Sequence, residues 1–107
     1  VEAQSITAMM DAISAGNPDC EYIVVSTFHA NNTIGWDLMQ KTHGTAFKKL
    51  EKTGVAAMDM YKLHSYLLAR KYYQDTTGNN INHPNDWLAR MYTMQLLTML
   101  YDFNAAA

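Results

Sequence analysis

Apolar residues recur at helical spacing through most of this chain. Ile6, Met9, Met10 and Ile13 stand at i, i+3, i+4 and i+7, and Gly16 follows as a stop, which predicts a helix over 3–15. Asn17, Pro18 and Asp19 then supply a capping side chain, a proline suited to a first turn, and an anion at the positive helix end. They predict a second helix over 20–28. Within it, Tyr22-Ile23-Val24-Val25-Ser26-Thr27-Phe28 is rich in β-branched and aromatic residues that favour a strand. The helix is preferred because a strand must pair its backbone groups and no other segment reads as its partner. Residues 20–28 are thus where a strand competes.

After a break at Asn31-Asn32-Thr33, residues 34–42 predict a short helix with Ile34, Leu38 and either Trp36 or Met39 inward, and Gly44 weakens or kinks the run. Helical character resumes over 45–52, with Phe47 and Leu50 inward and Lys48, Lys49 and Lys52 outward, until Gly54 ends it. Residues 55–74 contain neither proline nor glycine, and Ala57, Met60, Tyr61, His64, Leu67, Leu68 and Tyr72 form a wide apolar stripe, so one long helix is predicted. A polar loop over 75–80 precedes Pro84 and Asp86, which open a last helix over 84–103. Its face of Trp87, Met91, Met94, Leu97 and Tyr101 is joined by Leu96, Met99, Leu100 and Phe103, leaving the final turns apolar almost all round. The fold expected is an all-α compact bundle of four or five helices, a single helical domain over 1–104, with the alanines at 105–107 set outside it.

Composition narrows the class. With 107 residues, 49% hydrophobic and 17% charged, the chain can bury a core and lies far from disordered compositions. The one cysteine, Cys20, excludes an internal disulfide and points to a reducing compartment, so a cytoplasmic location is expected. No run approaches the ~18 apolar residues of a membrane span, and no signal segment opens the chain. It starts at Val1 rather than Met, which is compatible with a processed or shortened N-terminus. Charge is uneven: residues 1–40 hold five acids and no lysine or arginine, whereas 41–74 hold seven basic residues against two acidic ones. Contact between the two portions, within the fold or across a dimer, accounts for this.

Candidate chemistry is sparse. Lys48, Lys49, Lys52, Arg70 and Lys71 lie near Tyr66, Tyr72 and Tyr73, a combination that can meet phosphates and stacked bases. The net charge of −2 and pI near 6 argue against a nucleic-acid binder. His29, His43, His64 and His83 lack metal-ligand spacing, and no metal or cofactor is expected. His64, on an apolar stripe, reads as a core histidine. Cys20, at a predicted helix start, is opposed as a thiolate by Asp19 and Glu21. Nucleotide and hydrolase motifs are absent.

The surplus of apolar surface on the last helix leads to a non-enzymatic protein–protein interaction module, a homodimer or partner-bound, using His64, Trp87, Met91, Met94, Leu97 and Tyr101. A pocket for a small apolar ligand, lined by His64, Trp87, Met91 and Tyr101, is the first alternative, and nucleic-acid association through the basic 41–74 segment is the second. An enzyme is the least supported class. Ionisable groups converging in one cleft would revive it.

Overall fold

The computed structural model describes residues 1–101, and of Ile34 the backbone only. Its elements in chain order are helix α1 (Glu2–Gly16), strand β1 (Tyr22–Ser26), helix α2 (Asp37–Lys48), strand β2 (Val55–Asp59), helix α3 (Met60–Leu68) and helix α4 (Asp86–Leu100). Single 3-10 turns at Asn32–Ile34 and Tyr73–Asp75 punctuate the loops. The architecture is mixed α/β, which corrects the expected all-α bundle.

The strand alternative at 20–28 is realised because a partner exists. β1 pairs in parallel with β2, Tyr22 opposite Val55 through Ser26 opposite Asp59, and α2 makes the crossover between them. That partner was hidden inside the long helix predicted over 55–74. Val55-Ala56-Ala57-Met58 carries good helix formers and no breaker, yet Val55, Ala57 and Met58 are all buried, with helices packed on both faces. A strand covered on both faces reads as a continuous apolar run rather than an alternation, so the period-2 signal is missing. Asp59 ends the strand and caps α3, its Oδ1 accepting the Lys62 N–H at 2.9 Å. The Asn17-Pro18-Asp19 segment starts no helix: Asn17 closes α1, its N–H reaching the Ile13 carbonyl at 2.9 Å, and a turn into β1 follows, closed by the Cys20 N–H to the Asn17 carbonyl at 3.2 Å.

Two cores flank the sheet. Met10, Val24, Phe47 and Val55 pack with Ile6, Tyr22 and Leu50 under α1 and α2. Phe28, Met58, Met60 and Leu88 pack with Leu63, Trp87, Met91 and Tyr92 under α3 and α4. The result is a thin slab, 43 × 42 × 19 Å.

The two short helices predicted over 34–42 and 45–52 are one, because Gly44 is no breaker. A Cβ at Gly44 would lie 2.9 Å from Asp59 Oδ1, so the absent side chain lets α2 cross close over the end of β2. Asp59 Oδ1 is held by the Lys62 N–H and by the Ser26 hydroxyl at 3.3 Å, and it has little room to yield. Gly44→Ala is expected to lower stability by about 1–2 kcal/mol, overpacking strain exceeding the helix-propensity gain. Urea midpoints check this; an unchanged midpoint would mean that Asp59 swings clear freely.

At the last helix the cap is Asn85, not a first-turn Pro84: Asn85 Oδ1 accepts the Leu88 N–H at 2.9 Å. The helix ends at Leu100, and the predicted final residues 102 and 103, like the alanines at 105–107, lie outside the described residues. Among the described residues no helix is long and apolar enough to cross a membrane.

Candidate functional site

Past the carboxyl ends of both strands, polar side chains from four segments meet. The chain leaving β1 carries His29; Asp37 opens α2; Tyr61, His64 and Ser65 stand at i, i+3 and i+4 on one side of α3; Tyr73 and Thr76 come from the following loop. The spacing on α3 aims its three side chains back at the β1 extension, and the N-terminus of α2 delivers a carboxylate to the same place.

His64 is fully buried and its ring is fixed from both ends. Nδ1 accepts the His29 backbone N–H at 3.1 Å, so Nε2 carries the proton and meets Thr76 Oγ1 at 2.9 Å. The Thr76 hydroxyl passes its own proton to the Tyr73 carbonyl at 2.7 Å. Protonating Nδ1 would break the first of these bonds. Burial, then the neighbouring His29, hold the His64 pKa down at about 4, with Asp37 pulling weakly the other way.

His29 is arranged differently. Its ring stacks on Tyr61 with centroids 3.7 Å apart, Nε2 lies 2.5 Å from the Ser65 hydroxyl, and Nδ1 lies 2.7 Å from Asp37 Oδ1. The last contact is close but misaligned, since buried Asp37 Oδ1 receives no hydrogen bond of good direction. The other carboxylate oxygen accepts from the Tyr61 hydroxyl at 2.9 Å. Burial lowers the His29 pKa in spite of Asp37, while burial and Asp37 together push Tyr61 up to about 12. Tyr73 is likewise pushed up to about 12, chiefly by burial, and its hydroxyl lies 2.9 Å from the His29 carbonyl and 2.8 Å from that of Ile81.

The apolar residues proposed from sequence are divided between core and surface. His64 faces His29 and Thr76, while Trp87 and Met91 are half-buried against Phe28, Met58, Met60 and Leu88. Met94 (57% exposed), Leu97 (39%) and Leu100 (58%) line an outer face of α4, with Tyr101 exposed beyond its end. A groove of about 370 Å³ runs from Met99 and Leu100 to Tyr22, Ile23 and Val55 at the start of the sheet.

Of the basic set, Lys48 pairs with Glu51 at 2.7 Å, Arg70 lies over the Tyr66 ring at 4.5 Å and Lys71 over the Trp87 ring at 4.6 Å. Lys49 and Lys52 are exposed near the end of α2. Cys20 sits in the turn before β1, without the helix N-terminus that sequence had assigned it. Among the described residues no three His, Cys, Asp or Glu side chains gather as a metal site.

In sequence Tyr61 belongs to an apolar stripe, and nothing local connects His29, Asp37 and Ser65. The signal available was the i, i+3, i+4 grouping of Tyr61, His64 and Ser65, three polar tips on one helix face. No protein-family model, curated protein or solved structure matches the chain.

Proposed function

We propose that the protein is an interaction module that associates with a second copy of itself through the outer face of α4. The observation that carries this is the row Met94, Leu97 and Leu100, exposed on a helix whose opposite side already packs on the sheet. Large apolar side chains gathered on one face are stabilised when a second surface removes them from water, at about 25 cal/mol per Å². The groove beside Met99 and Leu100 continues that apolar surface onto the sheet, giving the end of a partner helix a place to lie. Two α4 faces meeting about a two-fold axis would cover each other with the same residues, the arrangement most soluble homodimers adopt. The thin slab and its two-strand sheet fit this role, since one chain has little interior in which to enclose the surplus.

Light scattering is expected to give twice the 12.1 kDa chain mass, and Met94→Lys or Leu97→Lys to convert the particle to monomer with its secondary structure kept. Wild-type chain that stays monomeric at high concentration would remove the proposal.

A further inference from the structure

We propose that Ser65 is a nucleophile that takes an acyl group from small carboxylic esters, with His29 as its general base and with Asp37 and Tyr61 as positioning residues. The order is the one acyl transfer needs: exposed hydroxyl, imidazole Nε2 at 2.5 Å, imidazole Nδ1 and a carboxylate 2.7 Å beyond it. His64 shows what a purely structural histidine looks like here, with both nitrogens spent inside the protein. His29 instead connects a half-buried carboxylate, its Oδ1 enclosed, to a solvent-facing hydroxyl. The Ser65 hydroxyl has one proton and two acceptors, His29 Nε2 and the Tyr61 carbonyl at 2.9 Å, and the shorter contact is the one to His29. The misaligned His29–Asp37 contact suits an unliganded site, where such bonds are often poorly aimed and tighten on substrate binding. The Tyr61 ring against His29 and the Tyr61 hydroxyl on Asp37 Oδ2 limit both partners to that adjustment. The cluster also lies at the carboxyl ends of the parallel strands, the edge at which open α/β sheets carry their sites.

Ser65 Oγ attacks the ester carbonyl carbon as its proton moves to His29 Nε2. The imidazolium, facing Asp37, then returns the proton to the leaving alkoxide as the carbon–oxygen bond breaks, leaving acyl-Ser65 and an alcohol. Water repeats the sequence: its proton goes to His29, Ser65 Oγ leaves with that proton, and a carboxylic acid is released. No oxidant, reductant or further co-reactant is consumed. Ser65 stands open to solvent in mid-helix, which suits a small activated ester better than one needing a deep cleft.

The test is incubation of the full chain with p-nitrophenyl acetate, followed by intact mass, peptide mapping and the rate of p-nitrophenolate release, on both wild type and Met94→Lys so that association state is separated from chemistry. One acetyl group on Ser65 is expected, absent in Ser65→Ala and slowed at least about a hundredfold in His29→Asn, the scale of general-base assistance. The groups facing His29 are Asp37 from α2, Tyr61 and His64 from α3, and Tyr73 from the next loop, so the acylation rate should rise with pH as His29 loses its proton, with an inflection below the free value of about 6.5 that moves in Asp37→Asn. Should His29→Asn fail to fold, Ser65→Cys in a Cys20→Ser background replaces it: its alkylation by iodoacetamide should follow His29 rather than the free-thiol value near about 8.5. Acetylation spread over lysines, a rate unchanged in His29→Asn, or an ordinary thiol titration at position 65 would each overturn the proposal.

Discussion

Acidification from pH 7 to pH 4 is expected to cost the folded chain about 3 kcal/mol through His64 alone. The imidazole is wholly enclosed, and its folded-state pKa of about 4 lies well below the 6.5 of the free side chain. As pH falls, the unfolded chain therefore takes up the proton first. Stability from this group is complete above about pH 6.5, declines by up to about 1.4 kcal/mol per pH unit below it, and levels off near pH 4. His29, also lowered by burial, adds loss in the same direction. Since small domains have only about 5–15 kcal/mol in hand, the effect should be plain in urea midpoints taken at half-unit steps of pH at one protein concentration. Stability that stays flat between pH 7 and 4.5 would show that the His64 ring is hydrated or re-partnered in solution. His64→Gln separates the contributions: it keeps a donor near Thr76 and should remove most of the slope.

Helix α1 was legible in the sequence because helical apolar spacing and a glycine at its end decided it, although only Met10 and Ile6 of that spacing pack inward while Met9 and Ile13 are exposed. The existence of the last helix was equally plain, although Asn85 rather than Pro84 begins it. The sheet was not legible as a sheet. Ile23, Val24 and Val25 carried a strand preference that the expected helix over 20–28 overrode for want of a partner, and that partner, β2, is built of Ala56, Ala57 and Met58, whose local preference is helical and whose extended state is imposed by pairing with β1. Strand pairing across α2 is a long-range event, so no window of sequence around 55–59 contains its cause. Gly44 misled for a related reason, because its purpose is a contact with Asp59 that lies on another element. The polar site was hidden in the same way: His29 and Asp37 meet only because α2 starts over the end of β1, and Ser65 meets them only because β2 sets the direction of α3. His64 as a satisfied core histidine was legible, since an apolar stripe carrying one imidazole implies burial and burial implies partners.

Truncating Leu88 to alanine is expected to destabilise the protein by about 3–4 kcal/mol, whereas Met94→Ala on the same helix should change the stability of a single chain by less than about 1 kcal/mol. Leu88 is 0% exposed and packs among Phe28, Met58 and Met60, while Met94 faces outward. The position also ties α4 to the loop before it: the Leu88 N–H is capped by Asn85, whose own N–H reaches the Thr76 carbonyl at 3.1 Å and whose side-chain amide reaches the Asp75 carbonyl at 2.7 Å. Collapse around the missing methyls is restricted, since Met58 and Met60 are fixed by the β2–α3 junction. The cost therefore belongs in the upper half of the range for leucine truncation. Phe28, which Leu88 supports, lies with its ring centroid 5.5 Å from that of His64 and forms part of the apolar wall that keeps the imidazole neutral. A cavity at position 88 should let water or side-chain motion relax that wall, raising the His64 pKa toward 6.5 and flattening the acid slope while lowering stability at pH 7. Leu88→Ala that loses stability but keeps the full pH dependence would show that His64 is desolvated by the polar cluster itself rather than by the α4 core.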